Sequence, residues 1–342
     1  MKPRVSLVKG TDRYHNVRQA LNLIADDIHV SDKRRVLVKP NFTSTQRQLA
    51  ATHVDAVRAT LDFLCERGAK EFVLGEASGI FDSNEGFANF GYAQLQERYD
   101  IRFVDLNRDE PVMVQGFDRE LRPIQLRVAR TALESDFLVS VTPPKTHDCV
   151  IVTAALKNVL VGCLISDIGA DPRPVAGAVR KLVRLVPRSV KTWAPLQGLK
   201  NAVASQVVGN ASSKFAIHQD IHGINLNLYL LAKRLLPHLA VIDGFDAMEG
   251  AGPLDGDPVD LRVAIASADS VAADSLAAHL MGFDAFEIGY LSYCARKGLG
   301  INDLSQIEVI GEDPATCRRT FEPHPLYELQ RNWRHPRVES LL

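Results

Sequence analysis

Two lysines, a histidine, two threonines and an asparagine crowd the stretch from Lys145-Thr146-His147 to Thr153-Ala154-Ala155-Leu156-Lys157-Asn158. Amines, hydroxyls and an amide gathered where a strand gives way to a helix make a cradle for a carboxylate or phosphate. His147 is the side chain there whose charge changes near neutral pH without a special environment, which makes it the first candidate for proton transfer. Further polar residues, Lys39, Asn41, Glu76, Asp243, Glu249 and Asp269, each follow an apolar run elsewhere. The lysines suit an anion; the carboxylates suit a hard cation or a base. The resulting catalytic candidates are His147, Lys145 and Glu249, with Lys39, Asn41, Thr146, Thr153, Lys157, Asn158, Gly250 and Gly252 as substrate contacts. Asp243, Glu249 and Asp269 form a candidate divalent-metal set. Simpler roles compete: Thr153 and Asp269 are natural helix caps, and strand-end lysines are usually solvated. His218 and His222, at i and i+4, more readily cap or pack than bind a metal without an identifiable third ligand.

The elements that must position these residues alternate. Asn16 to Ile28, His53 to Glu66, Glu85 to Tyr99, Ile224 to Leu236 and Glu287 to Lys297 read as helices, several with apolar positions at helical spacing. Arg35–Lys39, Glu71–Gly75, Ile101–Leu106, the run from Asp136 to the paired prolines 143–144, His238–Asp243, Leu261–Ser267 and Ser305–Ile310 read as strands. Pro111 to Gln125 reads as a hairpin-like excursion. Strands alternating with helices predict an α/β fold, a mostly parallel twisted sheet with helices on both faces, whose ligands bind at the carboxyl ends of the strands. Residues 1–165 form a first α/β half. A basic, proline-containing insertion spans 166–214, residues 215–312 form a second half completing the same site, and 313–342 is a polar tail. The loop Gly244 to Asp257 is rich in glycine and acid, but lacks the ending of a phosphate-binding P-loop.

With 342 residues, 46% hydrophobic and 24% charged, and a net charge of -1, the chain can bury its own core and has no global pull towards nucleic acid or an anionic membrane. Five scattered cysteines fit a reducing cytoplasm and lack metal-motif spacing. No apolar span is long enough to cross a bilayer. The basic segment 171–200 is a candidate surface for a protein partner or a second subunit.

Val36-Leu-Val-Lys39-Pro40-Asn41, Pro144-Lys145-Thr-His147, Ala155-Leu-Lys157-Asn158-Val-Leu-Val-Gly162, the run from Ile242-Asp243 to Glu249-Gly250-Ala-Gly252-Pro253, and Ser267-Ala-Asp269 to Asp274 resemble the uncharacterised family called domain of unknown function 362. The resemblance implies an α/β protein of the cytosol. Some members carry a ferredoxin-like cysteine cluster; this chain has none, so no intrinsic iron-sulfur centre is expected. The leading expectation is an enzyme acting on a small anionic metabolite by acid-base chemistry, with metal assistance as an option. The alternatives are a non-catalytic metabolite- or metal-binding protein and a redox protein using an external electron donor.

Overall fold

The structure is a computed structural model that describes residues 2–170 and 212–342. Most of the basic insertion, including the partner surface expected at 171–200, lies outside the described residues.

Eight strands form the backbone of one sheet: β1 (Arg4–Lys9), β2 (Val36–Lys39), β3 (Glu71–Glu76), β4 (Asp100–Asp105), β7 (Phe137–Thr142), β10 (Leu239–Glu249), β11 (Asp257–Ser267) and β12 (Glu308–Gly311). Their order is β12-β1-β11-β10-β7-β2-β3-β4. Short strands β8 (Lys145–His147) and β9 (Ile151–Thr153) attach beyond β10, while β5 (Pro111–Phe117) and β6 (Pro123–Ala129) pair as the expected separate hairpin. All neighbours along the main path are parallel except across β11, which runs antiparallel to both β1 and β10. The first and last parts of the chain thus share one sheet.

β2 and β7 are buried along their whole length, as central parallel strands covered on both faces must be. Their alternation sends Val36, Val38, Val139 and Val141, with Val241 of β10, to a core shared with α1 (Arg13–Leu23) and α2 (Val54–Glu66). Leu37, Leu138, Ala240 and Ile242 join the opposite core, covered by α5 (Ala155–Gly162), α8 (Ile221–Leu235), α9 (Ser270–Leu280) and α10 (Gly289–Arg296). Shorter helices α3 (Ser83–Asn89), α4 (Arg130–Leu133), α6 (Asp167–Ala170) and α7 (Ser213–Ile217) fill the connections.

Three expectations change. The Glu85 to Tyr99 helix stops at Asn89, because Gly91 takes a left-handed conformation (φ 75°) that turns the chain. The glycine- and acid-rich loop after Asp243 is largely strand: Asp246 to Glu249 pair with Asp257 to Asp260, leaving only 250–256 as the turn. The expected polar tail is packed, since Phe321, Trp333 and Val338 are buried and its helices α11 (Pro314–Cys317), α12 (Tyr327–Gln330) and α13 (Pro336–Glu339) lie on the core.

Candidate functional site

Parallel strands bring the ends of β2, β3 and β7 to one rim, and there Lys39, Glu76 and Lys145 meet. Lys39 is fully buried and forms an ion pair with Glu76. Its other partners are Pro40 O (2.8 Å) and Asn158 Oδ1 (3.3 Å). Asn158 in turn donates from Nδ2 to Lys39 O and Ser140 Oγ, both at 3.0 Å, and pins α5 to β2 and β7. These two candidates are committed to the fold, and Glu76 is spent as a counter-ion.

Lys145 is different. Its amine donates to Asn41 Oδ1 (2.5 Å), Thr43 Oγ1 (3.3 Å) and Ala50 O (3.4 Å), with no carboxylate partner among the described residues. Burial, reinforced by Lys157 nearby, pulls its pKa down to about 7. Lys157, on the first turns of α5, places its amine 2.8 Å from His147 Nε2 and 3.4 Å from His218 Nε2. Burial brings it to about 8, against the pull of Cys149 and Asp148. A third amine, Lys214 of α7, donates to Ala77 O (2.5 Å) and Val161 O (2.9 Å) and is lowered by burial to about 7. These three amines and the Lys39–Glu76 pair are close enough to influence one another's protonation.

His147 needs correction as the group that titrates near neutrality. Burial and the surrounding amines and imidazoles hold its pKa well below the usual histidine value, so at neutral pH it is an uncharged imidazole. Lys145, Lys157 and Lys214 are the amines that burial brings towards neutrality instead. His218 and His222 are held by different partners. His218 Nδ1 lies 2.6 Å from Lys214 O and so carries the proton, leaving Nε2 as an acceptor, whereas His222 Nδ1 meets Trp333 O at 3.1 Å. The pair therefore does not form a metal site.

Thr153 does not cap α5. The cap position is Ala154, and the orphan N–H groups of Ala155 and Leu156 donate to Asp274 of α9 at 2.7 and 3.0 Å. Burial raises the Asp274 carboxyl to about 7 despite those two donors. Asp274→Ala is expected to lower stability by about 2 kcal/mol, read from urea unfolding, because it orphans two buried N–H groups. An unchanged midpoint rules this role out.

The loop 250–256 does reach the lysine-histidine strand: Met248 pairs with Lys145, and Thr146 Oγ1 donates to Gly250 O at 3.0 Å. Gly252 permits this contact, since a Cβ there would lie 2.2 Å from Thr146 O. The glycines serve loop-to-loop approach, and Glu249 accepts a hydrogen bond from Glu322 N–H at 2.8 Å.

The metal set is not assembled. β11 runs antiparallel, so Ser267 pairs with Ala240 at the start of β10, and Asp269 lies on the opposite rim. There it caps α9, accepting from Ala272 N–H (2.9 Å), and also from Ile301 N–H (3.1 Å). Asp243 and Glu249 are separated by half of β10, roughly 18–20 Å of extended chain. Asp243 shares its parity with Val241 and faces α1, where Arg13 pairs with it at 3.0 Å and with Asp246 at 2.5 Å. These groups line a separate cavity of about 210 Å³ with Gln48, His53 and Pro143. Burial raises Asp243 to about 6, with Arg13 opposing. Among the described residues, three metal-type donors come within 4.8 Å of one another only at His147, Asp148 and Cys149. There His147 Nδ1 is already engaged by Asp148 Oδ1 (3.0 Å) and Cys149 N–H (3.0 Å).

Sequence reasoning missed Lys214, Arg13, Asp274 and Gln330, whose amide donates to His147 O (2.7 Å) and accepts from Ile151 N–H (3.0 Å). Asp274 had a signal, a lone acid inside the apolar run Val271 to Leu276. The others had none.

No helix among the described residues is long and apolar enough to cross a membrane. The chain is 26% identical over 309 residues to the thylakoid-associated protein sll1697 of Synechocystis sp., an alignment covering 89% of this chain and 77% of that one. Two solved structures overlap it: the lactate racemase apoprotein from Thermoanaerobacterium thermosaccharolyticum (TM-score 0.47, 14% identity, 81% of this chain and 57% of that one), and a protein from Thermotoga maritima (TM-score 0.41, 15% identity, 73% and 55%). The chain thus spans little more than half the length of either solved structure. Residues 36–279 match the family model described as Domain of unknown function (DUF362), and since that match covers well over half of the sequence, the chain belongs to this family.

Proposed function

We propose that the protein is an enzyme that binds a small anionic metabolite, a carboxylate or phosphate, among the amines of Lys145, Lys157 and Lys214, and moves protons through Lys157 and His147. The observation that carries this reading is three buried amines with no carboxylate partner among the described residues. A buried cation without a counter-charge costs several kcal/mol, and a bound anion supplies what the chain omits. With Glu249 tied to the C-terminal segment, Lys157 and His147 are left as the acid-base pair; Asn41 and Thr43 orient Lys145. Five free cysteines favour a reducing, cytoplasmic setting for this chemistry.

Calorimetric titration with inorganic phosphate and with acetate, from pH 6 to 9, tests the reading. Binding needs protonated amines, so affinity is expected to be highest below pH 7 and to fall about tenfold per unit above pH 8 for each linked proton. Lys157→Met is expected to weaken binding by about tenfold or more. Absence of binding throughout that range ends the proposal. Binding without turnover of any component of a metabolite mixture makes the protein a binding module.

A further inference from the structure

A second cavity, of about 300 Å³, lies beside the C-terminal half of α9 and is walled by residues from 282–286 and 302–304 and by Arg318. It shares no residue with the amine cluster or with the Arg13 cavity. Asn302, on its wall, is only 7% exposed, and its side-chain amide makes no hydrogen bond among the described residues. A primary amide carries two N–H donors and a carbonyl acceptor, and folded chains rarely leave such a group buried and unpaired. The His279 ring, on α9, likewise has no hydrogen bond among the described residues. Burial, then Arg318, lower its pKa, so at pH 7 it is a neutral imidazole offering one donor and one acceptor. The carboxylates on this wall are committed to their own turns. Asp284 Oδ1 accepts from Phe286 N–H at 2.9 Å, and Asp303 accepts from Ser305 N–H and from Gln306 Nε2, both at 2.9 Å. Arg318 donates from Nε to His279 O at 3.3 Å and has no carboxylate partner among the described residues. Phe286 lines the same cavity and is 49% exposed.

We propose that this cavity binds an adenine base, free or as part of a nucleoside or nucleotide, with the Asn302 amide reading the base edge, Phe286 stacking on its face and Arg318 meeting a phosphate where one is present. An amide sets a donor beside an acceptor, the pattern that pairs bidentately with N6 and N7 of adenine; N7 and O6 of guanine are both acceptors. A simple anion would leave the amide carbonyl without a donor. The exposed aromatic ring adds a face on which a planar base stacks. The groups left open here are an amide and a neutral ring, so the cavity selects by hydrogen-bond pattern and shape, whereas the amine cluster selects by charge. Its volume is at the small end for a ligand pocket, room for a base and its sugar.

Calorimetric titration of the full chain at pH 7 with adenosine and with AMP tests the site. Adenosine is expected to bind with a Kd on the order of 0.1 mM, since a ligand of this size makes few contacts. AMP is expected to bind about tenfold tighter, and Arg318→Ala to return it to the adenosine value. Asn302→Leu is expected to weaken both ligands by about tenfold or more, with the urea midpoint level or raised, because the fold gives that amide no partner to lose. Phe286→Ala, at an exposed position, is expected to weaken both about tenfold without changing the midpoint. Binding that Asn302→Leu leaves unchanged takes place elsewhere, at the amines in the case of AMP, and overturns the inference. Absence of binding at millimolar adenosine and AMP leaves the cavity to water and does the same. A lower urea midpoint in Asn302→Leu assigns the amide to the fold and also overturns it.

Discussion

Lys39→Met is expected to destabilise the protein by about 3–5 kcal/mol at pH 7, the largest single-site loss among the candidate residues. Lys39 and Glu76 are both buried, and removing one partner of a buried ion pair leaves the other charge in a medium that cannot solvate it. Asn158 Oδ1 and Pro40 O also lose a donor. The space is unforgiving, since a Cβ at Gly162 would lie 2.5 Å from the Lys39 amine, which shows how closely α5 passes over it. Replacing both partners, Lys39→Met with Glu76→Leu, is expected to recover most of the loss, because an apolar pair carries no desolvation cost. Lys145→Met is expected to leave stability unchanged or higher, since no carboxylate among the described residues pairs with that amine. Urea unfolding of the variants measures the contrast. A Lys39→Met midpoint within about 1 kcal/mol of the unmodified protein, or a Lys145→Met loss as large as that of Lys39→Met, contradicts the division into ion-paired lysines and those proposed to face a ligand.

That division was not legible in the sequence, although the rim was. Alternating helical and strand patterns imply parallel strands, and parallel strands bring Lys39, Glu76 and Lys145 to one end. Strand direction is another matter. Leu261 to Ser267 reads the same either way, and only pairing across the β10–β11 hairpin reverses it and carries Asp269 to the far rim. Which face Asp243 takes was equally hidden. A strand buried on both sides is a continuous apolar run, so no period marks the face that carries α1. Nor does residue type reveal the protonation of His147, which is set first by burial and then by the amines and imidazoles packed around it.

Stability is expected to rise from pH 7 towards pH 10, contrary to the usual broad optimum between pH 5 and 8. Lys145 and Lys214 titrate at about 7 in the folded chain and near 10.5 when unfolded. Between those values the unfolded state holds more protons, so the slope of unfolding free energy with pH is positive. Below pH 7 both states are protonated and the contribution is gone. Complete expression over that window is on the order of 4–5 kcal/mol per lysine, an upper figure because water penetration and relaxation soften burial. Asp243 and Asp274, raised to about 6 and 7, act with the opposite sign at lower pH. Their contribution is full below pH 4 and is lost as pH rises through their folded values. The five shifted groups together, with Lys157 at about 8, put a minimum near neutrality, where the anion proposed above would restore most. Urea midpoints from pH 7 to 10 test this against Lys145→Met and Lys214→Met, each of which flattens the alkaline rise. A profile that is level across that range, or one that both variants reproduce, shows that the amines keep their protons inside the fold. Charge compensation must then come from groups other than the bound anion proposed here.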